Sequence, residues 1–303
     1  MKRMVIAGGT GFLGTILMNR FKNEYQLIIL TRGSDRTSNG VSYVHWDGKT
    51  AGPWTDVIDG ADAVINLNGK SVDCRYTKKN KALIYATRLE ATAALGAAIQ
   101  QAAAPPKLWI NASSATIYRH SVNKEMDELS GEIGTGFSVD VCKQWEGVFN
   151  SFDFPNTRKV LLRTGIVLGK GGGPLKPLKM LARFGLGGKQ GRGDQFFSGL
   201  HEDDFANIVA FIIKHESGAG AYNVTAPNPI SNAEVMRSLR EALHIPVGIP
   251  IPRWLLEVGA VMIGTETELI LKSRRVVPAR LIREGYSFKY PDLRAALNNL
   301  VKG

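Results

Sequence analysis

Cysteine is nearly missing from this chain. Two, Cys74 and Cys142, stand in 303 residues, too few for a disulfide framework or a thiolate metal cluster. Histidine is scarce as well. The five present are scattered without paired spacing, so no histidine metal site is expected. No apolar run approaches the ~20 residues that cross a bilayer. The longest candidate, 255–263, is interrupted by Glu257. A secretory signal is not expected, because a strand pattern begins within three residues and Gly8-Gly9 breaks any apolar stretch. These absences make a cytoplasmic protein without membrane contact the expectation. Acidic residues are outnumbered, giving a formal net charge of +11. That balance invites a nucleic-acid reading, but the basic residues are dense only at 78–81 and 272–275, and neither cluster is interleaved with several aromatics. A solvated surface and an anionic small ligand account for the charge better.

What is present starts at the N-terminus. The apolar run Met4-Val5-Ile6-Ala7 leads into Gly8, Gly9, Thr10, Gly11, Phe12, Leu13 and Gly14, and then into apolar residues at helical spacing, Ile16, Leu17 and Phe21. This order is that of a strand, a glycine turn and a helix in a dinucleotide-binding βαβ unit. Gly8 permits the tight turn, Gly11 lets the backbone approach a pyrophosphate, and Gly14 lets helix pack on strand. The free N–H groups and partial positive charge of the helix N-terminus then face the phosphates. Counted from Gly8 the glycines read G-x-x-G-x-x-G, which resembles the short-chain dehydrogenase/reductase superfamily in its extended form.

Strand and helix patterns alternate onward, as a parallel sheet with crossover helices requires. Strands are expected at 26–30, 41–46, 61–67, 107–112, 159–163 and 221–224. Helices are expected at about 81–103, where Pro105-Pro106 stops the run, and at 137–149 and 203–214. Ser231 and Glu234 form a capping-box pair before a helix at 232–243. The tail from 250 to 301 reads as helices. The expected architecture is an α/β, Rossmann, doubly wound parallel sheet with a smaller, mostly helical C-terminal lobe. Residues 1–165 form the NADP-binding part, with about 200–226 returning to it, and 166–303 form the substrate lobe and helical extension.

The second strand ends in Leu30-Thr31-Arg32-Gly33. NAD-binding folds place Asp or Glu at this point for the ribose 2′-hydroxyl. Here a guanidinium replaces it, so Thr31 and Arg32 favour NADP(H), with Asp35 as the competing residue on a bent loop.

Further segments carry a closer resemblance. They are 64–69 (VINLNG), 112–118 (ASSATIY), 140–146 (DVCKQWE), 162–169 (LRTGIVLG) and 222–229 (YNVTAPNP), together with the tail 278–293. Over nearly the whole chain they resemble the epimerase family of atypical extended short-chain dehydrogenases, which has a helical C-terminal extension. The resemblance implies that Leu67, Asn68 and Gly69 lie against the cofactor, Asn68 standing where most relatives have Ala. It implies that Asp47 holds the adenine amino group and that Arg88 contacts the cofactor from the following helix. It also implies that Ala112 and Thr164 lie near the nicotinamide, and that Ser114 hydrogen-bonds the substrate.

One family part is missing. Working members use a Tyr and a Lys four residues later on one helix face, the ammonium and cofactor lowering the phenol's pKa. None of the eight tyrosines has Lys four residues on. Alignment on Glu146 puts Ser138 at the Tyr position and Cys142 at the Lys position, with Lys143 turned away by about 100°. The polar Asn expected after the sixth strand is Ile166. Two readings stay open. One is an oxidoreductase of a small molecule with an unconventional proton donor: Ser114, Tyr118 or water. The other is an NADPH-binding sensor without turnover. Nucleotide-sugar epimerisation ranks below both. Nucleic acid is not an expected partner, and a homodimer is an open assembly.

Overall fold

The computed structural model describes residues 2–302. Its first half is built from β1 (Lys2–Ala7), α1 (Phe12–Phe21), β2 (Tyr25–Thr31), β3 (Arg36–Ser38), β4 (Val41–His45), β5 (Ala63–Asn66), α2 (Lys78–Gln101), β6 (Leu108–Ser114), α3 (Phe137–Asn150) and β7 (Arg158–Thr164). Then follow β8 (Ile166–Leu168), α4 (Leu175–Leu181), β9 (Phe196–Phe197), β10 (Gly199–His201), α5 (Glu202–Lys214) and β11 (Gly220–Val224). The chain closes with β12 (Ile230–Ser231), α6 (Asn232–Ala242), α7 (Arg253–Ile263), α8 (Glu268–Leu271), α9 (Ala279–Arg283) and α10 (Leu293–Lys302).

Eight strands form one sheet in the order β11-β7-β6-β5-β1-β2-β4-β3. Every pairing is parallel except β3 with β4. The order reverses beside β1, and this switch point opens a crevice at the carboxyl ends of the strands. β11 pairs along β7, so the chain returns to the sheet after the glycine-rich stretch.

Both faces of the sheet are buried, which is why its strands read as continuous apolar runs. Alternate residues serve opposite cores. Met4, Ile6, Leu27, Ile29, Ile65 and Ile110 pack under α1 and α5 with Leu17, Phe205 and Ile208. Val5, Ala7, Ile28, Val64 and Trp109 pack under α2 and α3 with Leu95, Ile99 and Phe149. Among the described residues, one helix, α2, is long and apolar enough by length and composition to pass for a membrane span, although Arg88 and Glu90 interrupt it. Its length comes from alanine-rich turns, and its buried side covers the sheet as a crossover helix. A third core joins Leu175, Val235, Leu239, Leu293, Leu297 and Leu300 in the C-terminal part. The capping box forms as expected, with the Ser231 hydroxyl accepting from Glu234 N–H and the Glu234 carboxylate accepting from Ser231 N–H.

Several short elements were not anticipated: β3, the pairs β8–β10 and β9–β12, α4, and a π-type turn at Ala182–Leu186.

Candidate functional site

The glycine turn sits at the switch point, and its glycines answer to different neighbours. Gly8 has φ +76°, and a Cβ there would stand 2.9 Å from the Leu67 carbonyl carbon. A Cβ on Gly9 would stand 2.8 Å from the Ile29 side chain, and one on Gly14 2.4 Å from the Gly9 backbone. These three glycines are demanded by the fold itself. Gly11 is not. A Cβ there would meet only the Gly8 carbonyl oxygen, at an ordinary 3.5 Å. Gly11 is also the N-cap of α1, with extended backbone and no side-chain cap, so the first-turn N–H groups remain open for an anion. Thr10 is exposed beside them. Phe12 and Leu13 contribute backbone there, while the Phe12 ring packs against Gly172 and Gly173 and Leu13 leans on the core.

At the end of β2, Arg32 is exposed. Gly33 N–H donates to Thr31 Oγ1 at 3.3 Å. Asp35, the competing acid, is used elsewhere: its carboxylate accepts the His45 backbone N–H, which follows from the β3–β4 hairpin turning the loop back. That hairpin brings in Arg36, which sequence reading did not single out. Its guanidinium lies 4.0 Å from the Tyr43 ring centroid and beside Gly33. Asp47 is also occupied locally. Its carboxylate accepts from Lys49 N–H and Thr50 N–H, both at 2.9 Å, and from the Thr50 hydroxyl at 2.6 Å. Those bonds, led by the Thr50 hydroxyl, lower its pKa to about 2.

Behind β5 a buried amide network sets the exit of the chain. Asn66 Nδ2 donates to Asn111 Oδ1 at 2.7 Å and to Thr92 Oγ1 at 3.1 Å, and Asn66 Oδ1 accepts the Asn68 N–H at 3.0 Å. Asn68 in turn donates to the Thr87 carbonyl at 3.3 Å. The guanidinium of Arg88 covers Gly69, donates to the Lys70 and Ile84 carbonyls, and lies over the Trp145 ring. No carboxylate pairs with it among the described residues. Burial pulls its pKa below the ordinary value, opposed by nearby Cys142, Tyr76 and Cys74. Ala112 and Thr164 are buried at the ends of β6 and β7.

The anticipated proton donors fare poorly. The Ser114 hydroxyl accepts from Thr116 N–H at 3.2 Å and donates to Thr116 Oγ1 at 3.0 Å, capping a short 3-10 turn. Tyr118 is 1% exposed. Its hydroxyl donates to Asn223 and accepts from Arg163, each at 2.9 Å. Arg163 is clasped in two bonds by Glu146, at 2.9 and 2.8 Å. Burial alone would lower the Arg163 pKa, but Glu146 reverses the sign and raises it. Tyr118 therefore belongs to a closed structural network.

At the position of the missing pair, Ser138 and Cys142 are buried on one face of α3, while Lys143 is exposed. Burial, then the Glu146 charge, push the Cys142 thiol up to about 12, so it is a neutral group at physiological pH. Facing Ser138 is a phenol that sequence reading missed, that of Tyr76 on the β5–α2 loop. Its ring packs on Phe137 at 4.7 Å between centroids. Ser138 is close enough to oppose the rise that burial imposes on the Tyr76 pKa. Yet neither hydroxyl makes a hydrogen bond of good geometry, and both atoms are buried. Such an orphan costs about 1–3 kcal/mol unless water or ligand meets it. The loop that holds Tyr76 is clasped by the C-terminal segment. Tyr76 N–H donates to Glu266 at 2.7 Å, Arg75 donates to the Thr265 carbonyl at 3.1 Å, and the Thr265 hydroxyl donates to Asp73.

Two surface clefts, of about 510 and 350 Å³, lie elsewhere. The first is lined by Lys2, Lys107 and Arg158, at the amino ends of the strands, and the second lies between α1 and α5. Ligands of open α/β sheets bind at the carboxyl ends, so neither is the site.

A model described as the NAD dependent epimerase/dehydratase family matches residues 4–225. The chain belongs to that family. A second model, a domain of unknown function (DUF1731), matches residues 251–300. An epimerase family protein of Staphylococcus epidermidis is 33% identical over 305 residues, covering 100% of both chains. The crystal structure of human epimerase family protein SDR39U1 with NADPH superposes with a TM-score of 0.87 at 30% identity, covering 99% of each chain. A nucleoside-diphosphate sugar epimerase of Corynebacterium glutamicum gives 0.78 at 28% identity, covering 99% of this chain and 58% of that one. UDP-N-acetylglucosamine 4-epimerase of Bacillus cereus, at 17% identity and 0.76, shares the fold. For the dinucleotide that the family name implies, the residues present fit. The room left at Gly11 and the uncapped N-terminus of α1 would hold the pyrophosphate.

Proposed function

We propose that the protein is an NADP(H)-dependent oxidoreductase of a small molecule, acting without the usual Tyr-x-x-x-Lys pair. The observation that carries the binding is Gly11, a glycine that the protein's own packing does not require. The preference for NADP(H) rests on Arg32 and Arg36 beside Gly33, with the Asp35 carboxylate spent on a backbone N–H. A guanidinium fork suits a 2′-phosphate. When bound, the nicotinamide supplies a hydride. The chain's own part is to orient the substrate and to hold a proton at Tyr76 Oη. A phenol is protonated at neutral pH, as a donor to a developing alkoxide must be, and burial raises the Tyr76 pKa further. The carbonyl-lined Arg88 guanidinium is the nearby cation.

Calorimetric titration tests the binding. NADPH should bind at least tenfold tighter than NADH, a difference of about 1.4 kcal/mol, and Arg32→Asp should erase it. Equal affinities in the unmutated protein would sink the preference. A second reading, an NADPH holder without turnover, is favoured by one observation: the Lys position is a neutral, buried thiol. A carbonyl-substrate screen following NADPH absorbance separates the two, and Tyr76→Phe should abolish any turnover found.

A further inference from the structure

We infer that the C-terminal segment matched by the domain of unknown function builds the substrate end of the site, with Arg274 as receptor for a carboxylate. This rests on the oxidoreductase reading above.

Arg274 is an unusual cation for its place. The residue is half-buried, and its Nε is closed off from solvent without a hydrogen-bond partner. Its side-chain hydrogen bond among the described residues runs from Nη1 to the Ser273 carbonyl at a long 3.4 Å. The acid whose charge reaches it, Glu268, is already paired with Lys272. Its neighbour Arg275 leaves its Nε unpartnered too, but differs in having its charge met by Glu125 at 3.0 Å. Desolvating a guanidinium without an anion is costly, and a buried donor without an acceptor adds to that cost.

The surroundings say where it points. Val276, two residues on, packs in one buried cluster with Cys142, a turn beyond Ser138 on the same face of α3, and the Arg274 charge acts on that thiol. Lys272, two residues earlier, reaches toward Gly136 at the start of α3. Tyr76 and Ser138 leave two buried hydroxyls without partners at the start of α3, and the 272–276 segment that packs there carries a third such donor, Arg274 Nε. Backbone bonds hold the segment there. Arg274 N–H donates to the Phe196 carbonyl at 3.1 Å, and Ser273 N–H to His120 Nδ1 at 3.0 Å. Donors without acceptors, beside a guanidinium without a carboxylate, are complementary to an anion. The planar Nε edge of Arg matches a carboxylate in a two-bond fork. The substrate class is therefore a small carbonyl or hydroxy compound that carries a carboxylate.

The test uses the full chain saturated with NADPH and benzoate as the probe. Benzoate should bind at least tenfold tighter than benzamide in calorimetry. Arg274→Gln should weaken benzoate at least tenfold. Arg274→Lys, which keeps the charge but not the fork, should fall between. In turnover, 4-carboxybenzaldehyde should be preferred over benzaldehyde, and Arg274→Gln should cut that ratio at least tenfold. No benzoate preference, or a preference unmoved by both variants, overturns the proposal. So does tighter binding of phenyl phosphate than of benzoate. Should Arg274→Gln fail to fold, the wild-type preference and Arg274→Lys still decide. Failure of the wild type to bind NADPH would instead sink the reading beneath.

Discussion

The glycines of one turn can be told apart by what a single added carbon would strike. At Gly14 it would strike the Gly9 backbone at 2.4 Å, which cannot move without moving α1. Gly14→Ala should therefore destabilise the fold by about 1–3 kcal/mol, the usual cost of overpacking, as read by urea denaturation. At Gly11 the same carbon finds room. Gly11→Val should cost the fold less than Gly14→Ala does, no more than the modest penalty of a β-branched N-cap, and should abolish dinucleotide binding. Retained affinity with an intact fold would show that the turn is not the pyrophosphate site. Cys142 offers a test by pH. Its thiol rises from an ordinary 9.0 to about 12 through burial, so the folded protein keeps a proton that the unfolded chain gives up. The stability this confers is complete below about pH 9 and is lost as pH climbs toward 12, at up to about 1.4 kcal/mol per pH unit. Cys142→Ala should be less stable at pH 8 but should lose less stability between pH 8 and 10.5. Equal losses in both proteins would contradict the burial argument.

Among the elements, those that cross the sheet were legible and those that only bridge loops were not. β1, β2, β5, β6 and β7 are buried on both faces, and their apolar runs declare them at the level of sequence. β9 and β12 are two residues each and β8 and β10 three. They exist because distant chain supplies partners, and a window of two or three residues has no period to read. The same holds for the clasp between the β5–α2 loop and residues 265–266, where both strands of contact are polar loops. Its consequence is checkable. Glu266→Ala removes the acceptor of the Tyr76 N–H, so amide exchange over residues 73–77 should quicken while β1 and β6 stay protected. Unchanged exchange in the loop would mean that the clasp does not hold Tyr76.

For the whole molecule, the glycine turn between β1 and α1 was legible because its residues are contiguous. Seven consecutive positions, 8–14, make the turn, and local chemistry alone identifies it. The substrate end proposed above would be assembled from a loop after β5, the first turns of α3 and a segment near the C-terminus. Tyr76 and Arg274 have nothing in their own neighbourhoods of sequence to mark them, although 272–275 did stand out as a basic cluster. This assembly also decides what the missing pair means. Replacing Ser138 and Cys142 by Tyr and Lys would not restore a working shuttle. Cys142 sits among Ala115, Ile117, Tyr118, Met126 and Val276, and Arg88, Arg274 and Arg163 already act on it. An ammonium there would be a fourth buried cation, driven to lose its proton or to disrupt the cluster. A phenol at 138 would meet that of Tyr76. Acid–base groups of matched pKa typically supply about 10²–10⁴-fold in rate, and this site is not arranged to supply them in the usual way. The unmodified protein should show negligible epimerase or dehydratase turnover of UDP- and GDP-sugars, followed by product analysis after prolonged incubation. Ser138→Tyr with Cys142→Lys should not raise it. Robust conversion of a nucleotide sugar by the wild type, lost in Tyr76→Phe, would mean that the Tyr76 phenol is a complete substitute for the pair and that sugar chemistry, not reduction of a small acid, is what the site performs.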